Sequence, residues 1–119
     1  MASACTEVLE KAGQSPDDLK LVVGHQANSR ILAALGKRLG LDPQKVVIDI
    51  EKVGNTSAAS IPIALDRTWR RGLLEPGDLV LTAAFGAGMA WGASLIRWTA
   101  AVPDSKTTWA ATAIVSADA

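Results

Sequence analysis

A chain of 119 residues is one domain or part of one, long enough to bury roughly two-thirds of its unfolded surface. Twelve Lys+Arg balance twelve Asp+Glu, which excludes a global field that would draw nucleic acid or an anionic membrane and leaves only local patches for an acidic partner. Cys5 is the single cysteine, so an intrachain disulfide framework and a cysteine-based metal site are excluded, and a cytoplasmic, reducing compartment is expected.

The first residues lack a long apolar core, being broken by Glu7, Glu10 and Lys11, which argues against a signal peptide or a membrane span. Residues 2–12 favour a helix stopped by Gly13, and Ser15-Pro16 opens a short turn. Residues 19–24 read as a short buried strand. Helical periodicity resumes at Ala27, with Asn28, Leu32, Leu35 and Leu39 on one stripe, and Gly40 ends it. Asp42-Pro43 repeats the cap-plus-proline connector, and the β-branched run 46–50 predicts a second strand. Ser57 is placed to cap a third helix reaching about Arg71, with Pro62 in its first turns. After the turn Glu75-Pro76-Gly77-Asp78, the apolar runs 79–85 and 91–98 flank Gly86-Ala87-Gly88 and predict an antiparallel strand pair. This order implies an α/β fold, a layered mixed sheet covered by helices. Residues 99–119, rich in Ala, Thr and Ser, read as a flexible tail, with Val102 and Trp109 pointing the other way.

Two polar islands stand out at the mouths of predicted strands, where open α/β sheets keep their chemistry: Gly24-His25-Gln26-Ala27-Asn28 and Gly54-Asn55-Thr56-Ser57-Ala58-Ala59-Ser60. His25 is the only histidine, and a lone histidine is by default structural; its strand-to-helix corner instead lets the ring face a cleft while its other nitrogen is held. Asn55 alone would be turn chemistry, but the small residues around it let a substrate come close. Together they make two donors for one carbonyl oxygen, the minimal kit for an oxyanion or enolate. Gly86-Ala87-Gly88 lacks the third glycine and following helix of a dinucleotide loop, and a bend giving an N–H to such a pocket is the better reading. Phe85 beside it is core or pocket wall. Arg30 and Lys37, seven apart, share a helix face with Arg38 adjacent; this is a solvated face or a rim for an acidic carrier or phosphate.

His-Gln-Ala-Asn, then Gly-Asn-Thr-Ser-Ala-Ala-Ser, then Ala-Phe-Gly-Ala-Gly-Met-Ala-Trp-Gly resemble, in order and spacing, the C-terminal half of β-ketoacyl-acyl-carrier-protein synthase III, a condensing enzyme of the thiolase superfamily. The resemblance runs over about residues 3–98 and implies a thiolase-like layered fold for that half-domain, with 99–119 outside it. It implies that His25 and Asn55 are the catalytic pair binding the malonyl thioester carbonyl during decarboxylation. It further implies that Phe85 favours loss of carbon dioxide, that the Ala87 backbone N–H joins the oxyanion hole, and that Asn28 lies near the pantetheine arm. Arg30, Lys37 and Arg38 would dock an acyl carrier protein. No cofactor is implied; acyl-CoA and malonyl carrier protein are the substrates, and the complete enzyme would be a homodimer.

One departure is serious. The family's acyl-bearing cysteine belongs to the N-terminal half, and Cys5, in Ser-Ala-Cys-Thr, reads as a small helix residue. The chain then reads as a fragment opening at an internal methionine, unable by itself to complete a condensation. The nucleophile would come from a missing N-terminal half or a partner subunit. Two alternatives stand beside this: a non-catalytic half-domain that pairs with another subunit, and a condensing enzyme of the same superfamily that serves secondary metabolism.

Overall fold

A computed structural model of the chain describes residues 1–103. Helix α1 (Ala2–Lys11) leads through a Ser15-capped turn to strand β1 (Leu21–Gly24), and helix α2 (Ser29–Arg38) follows. A one-turn helix α3 (Ile50–Val53) and helix α4 (Ser60–Arg70) precede strands β2 (Leu79–Gly86) and β3 (Ala90–Arg97). The strands form one mixed sheet in the order β1-β2-β3, with β1 parallel and β3 antiparallel to β2.

Strand β1 is apolar throughout because both its faces are covered. Alternation divides the core accordingly. Val22, Leu79, Leu81 and Ala83 face one layer with Cys5 and Leu9 of α1 and Leu35 of α2. Leu21, Val23 and Val80 face the other, against Ala64 of α4 and Leu74. At the distal end of the sheet this cover stops. Phe85, Met89 and Trp91, around the β2–β3 bend, are 47%, 71% and 55% exposed. The bend turns at Gly88, whose φ of 75° is a conformation open to glycine.

The strand expected over 46–50 is not there. It is reduced to a single parallel bridge between Val22 and Val46, with Val47 N–H donating to the Val22 carbonyl, before the chain turns into α3. The reason is the side chain of Gln26, fully buried just past β1. Its Oε1 accepts the N–H groups of Asp49 (2.7 Å) and Ile50 (3.0 Å), and its Nε2 donates to the carbonyls of Gly24 (2.8 Å) and Val47 (3.2 Å). A side-chain amide thus takes the ladder bonds that a further strand would have made. Close approach of α2 helps to hold the segment: a Cβ on Gly36 would stand 2.5 Å from Val46 Cγ2.

The last helix also starts differently from expectation. Ser57 does not cap it but sits at φ 56° in a short 3₁₀ turn, and α4 begins at Ser60, with Pro62 in its first turn. Of the tail, residues 99–103 are described. The Trp69 indole N–H donates to the Ala101 carbonyl at 2.7 Å, and Trp69 and Trp98 lie tilted with ring centroids 6.4 Å apart. Trp109 and the rest of the expected flexible tail lie outside the described residues.

Replacing Gln26 with alanine would orphan two buried and two half-buried backbone groups, a buried one costing about 1–3 kcal/mol. The expected loss is about 3 kcal/mol or more in urea unfolding of the full chain, with a loss below about 1 kcal/mol contradicting the clamp.

Candidate functional site

The two polar islands meet. His25 leaves the end of β1, where its N–H donates to the Ala83 carbonyl of β2 at 2.8 Å, and its half-buried ring reaches across to α4. There Nδ1 lies 2.6 Å from Ser60 Oγ. The same hydroxyl oxygen accepts the Gln26 N–H at 3.1 Å, so one side chain at the start of α4 ties down both the ring and the backbone behind it.

Asn55 follows Gly54, whose φ of 69° turns the chain out of α3. Its Oδ1 accepts the Ser57 N–H at 2.9 Å. A backbone N–H can bond only to the oxygen, which fixes the amide's orientation and leaves its two N–H donors for another partner. This bond also accounts for the left-handed Ser57, a costly conformation for a side-chain-bearing residue and one that clusters at functional sites.

His25, Asn55, Phe85 and Ala87 line one open cleft of about 970 Å³, together with Ser60 and Trp91 among others. Phe85 and Trp91 are directly opposed across β2 and β3 and form an exposed apolar wall. Ala87 opens the bend and is not in the left-handed region, so alanine presents the backbone there without strain. The floor therefore carries hydrogen-bonding side chains and the wall is apolar, the usual make-up of a small-molecule site.

The other expected residues stand elsewhere. Asn28 is exposed and caps α2, its Oδ1 accepting the Arg30 N–H at 2.8 Å; it does not line the cleft. Arg30, Lys37 and Arg38 are exposed along α2, outside the cleft, with Lys37 and Arg38 in its last turn. Cys5 is fully buried among Leu9, Val22 and Leu81, away from the cleft, and burial pushes its thiol up from the ordinary range against the opposing pull of the N-terminal ammonium. Among the described residues no cluster of His, Cys, Asp or Glu suits a metal ion, and no helix is long and apolar enough to cross a membrane.

Ser60 and Gln26, buried and bonded around the cleft, are residues that motif reading left without a role. For Gln26 a signal was present, a glutamine placed between a buried strand and a helix cap, whereas Ser60 closes a run of small residues that does not single it out.

The family described as 3-oxoacyl-(acyl-carrier-protein) synthase III C terminal matches residues 9–98. A β-ketoacyl-(acyl-carrier-protein) synthase III of Caldanaerobacter subterraneus is 53% identical over 98 residues, which is 82% of this chain and 30% of the relative. The crystal structure of 3-oxoacyl-(acyl-carrier-protein) synthase III from Aquifex aeolicus superposes with a TM-score of 0.81 at 51% identity, covering 82% of this chain and 32% of that one. A priming β-ketosynthase of a polyketide biosynthetic pathway superposes at 0.78 with 41% identity, over 86% of this chain and 30% of that one. The chain thus spans about 30% of the length of the curated relatives it matches.

The buried, proton-retaining Cys5 is expected to react with a thiol reagent at neutral pH at least about tenfold more slowly in the native chain than in the unfolded one. Equal rates would contradict its placement.

Proposed function

The chain belongs to the 3-oxoacyl-(acyl-carrier-protein) synthase III family, and from that premise we propose that its cleft performs the decarboxylation half of a condensation between an acyl starter and a malonyl thioester. The observation that carries the reading is the shared cleft of His25 and Asn55, each with one polar atom bound internally and donor capacity remaining.

In this reading the thioester carbonyl oxygen of the malonyl group sits between the His25 ring and the Asn55 amide. The bond from the α-carbon to the carboxylate breaks, carbon dioxide leaves, and the electron pair moves onto the carbonyl oxygen as an enolate. Two pre-placed neutral donors lower the energy of that developing charge without themselves gaining or losing a proton. Phe85 and Trp91 set an apolar wall beside the carboxylate, a surrounding that disfavours the charged group and favours its departure as neutral carbon dioxide. The enolate carbon then attacks an acyl thioester, and a cysteine thiolate leaves. That cysteine, acylated by the starter acyl-CoA with release of CoA, would belong to a part of the enzyme outside this chain. The complete enzyme, a cytoplasmic homodimer, would bind the acyl carrier protein on α2, where Arg30, Lys37 and Arg38 offer exposed positive charge to an acidic partner. Asn28 would lie beside the arm on the way to the cleft.

The starter can serve primary or secondary metabolism, since the polyketide priming β-ketosynthase shares the same fold at 41% identity. The exposed Phe85, Met89 and Trp91 favour a second reading, a half-domain that pairs with another subunit through this tip without catalysis.

Asn55→Ala in a complete enzyme is expected to slow malonyl-thioester decarboxylation by about 10²–10³, the cost of one lost oxyanion donor. A loss under about threefold with folding intact would remove Asn55 from the chemistry and move the pairing reading ahead. Reversing the charge of Lys37 and Arg38 to glutamate should raise KM for the malonyl carrier protein about tenfold at low salt while kcat stays within about twofold. An unchanged KM would place carrier docking elsewhere.

A further inference from the structure

We propose that Ser60 is a positioning residue that holds His25 as the neutral tautomer with its proton on Nε2, so that the ring serves as a hydrogen-bond donor and not as a base. The inference deepens the decarboxylation reading and rests on it for the donor's purpose; the tautomer itself follows from the hydrogen-bond geometry.

Ser60 Oγ is 1% exposed and has two neighbours: the Gln26 backbone N–H, which can only donate, and His25 Nδ1 at 2.6 Å. A hydroxyl carries one proton and two acceptor sites. Were Nδ1 protonated, the hydroxyl would accept from both neighbours, and its own proton would need a third partner. Among the described residues the structure gives the Ser60 hydroxyl no hydrogen bond beyond these two. An unpaired buried donor costs about 1–3 kcal/mol. Donating the hydroxyl proton to the Nδ1 lone pair satisfies all three groups, and a neutral ring with Nδ1 unprotonated carries its hydrogen on Nε2.

The chemical identity of the partner matters. A carboxylate at this position would accept a proton from Nδ1, stabilise the imidazolium and leave Nε2 free to act as a base, as in hydrolase triads. Serine is neutral and here can give a proton, which enforces the opposite tautomer. The ring is thereby matched to Asn55, whose amide is fixed with its N–H groups free by the bond from Ser57. Each donor of the cleft is oriented by a serine of the same run, Ser57 through its backbone and Ser60 through its hydroxyl.

Because His25 is the only histidine, a chain labelled with ¹⁵N in its imidazole gives a single ring to observe. At about pH 8, where an ordinary imidazole is neutral, two-bond ¹H–¹⁵N spectra of the full chain should show protonated Nε2 and unprotonated Nδ1. Ser60→Ala should bring in the Nδ1–H tautomer, moving the averaged Nδ1 resonance toward its protonated position, and Ser60→Thr, which restores the hydroxyl, should reverse the shift. A wild-type ring protonated on Nδ1 overturns the proposal and needs no folded variant to be read. So does an Ser60→Ala ring that keeps the wild-type shifts. The readout uses no substrate, so failure of the decarboxylation reading would show separately, as a complete enzyme whose malonyl decarboxylation survives loss of Asn55.

Discussion

The side chain on which the rest of this structure depends is Gln26. It is buried, uncharged and saturated: two backbone N–H groups on its oxygen, two backbone carbonyls on its nitrogen. Those four groups come from the end of β1 and from residues 47–50, segments with no ladder between them beyond the Val22–Val46 bridge. The amide therefore substitutes for a strand edge. It does so over a short stretch and lets the chain turn immediately afterwards, which a continued ladder would not.

That turn is what the cleft requires. Because the segment leaves the sheet after the Val46 bridge, α3 and Gly54 can bring Asn55 back toward the mouth of β1, where His25 already stands. Asp49 then carries the network outward. Its N–H belongs to Gln26, and its carboxylate pairs with Arg67 of α4 at 2.9 Å. Ser60, at the other end of α4, bonds the Gln26 N–H and the His25 ring. Both donor-bearing loops are thus referenced to one buried amide and one helix. Preorganisation of this kind is where electrostatic catalysis has its energetic advantage, since donors already in place need no reorganisation as charge develops.

Much of this was legible in the sequence. Glycine and proline punctuation marked α1, α2 and the Glu75–Asp78 turn, and the apolar runs around Gly86-Ala87-Gly88 marked the antiparallel β2–β3 pair, whose register the structure supplies. The polar islands marked the cleft through their context, a histidine at a strand-to-helix corner and an asparagine among small residues, since either residue alone has an ordinary structural reading. The strand expected over 46–50 failed for a definite reason. β-Branched residues at that length satisfy the pattern of a strand, but pattern does not reveal that a glutamine from another loop will take the hydrogen bonds. Ser57 was misjudged as a helix cap for a related reason: Asn55, two residues earlier, captures its N–H and rotates it out of the geometry a cap needs. Ser60 was hidden in a run of small residues, where nothing in the spacing singles out the one that reaches across 35 positions.

The central claim is that His25 and Asn55 converge on a single carbonyl oxygen. It is tested most directly by the crystal structure of a complete enzyme carrying this sequence, bound to a malonyl thioester analogue that cannot lose its carboxyl group. The account predicts the thioester oxygen within about 3 Å of both the His25 ring nitrogen and the Asn55 amide nitrogen, with the carboxyl group against Phe85. A thioester oxygen held by neither residue, or the pair grasping the carboxylate instead, would contradict it.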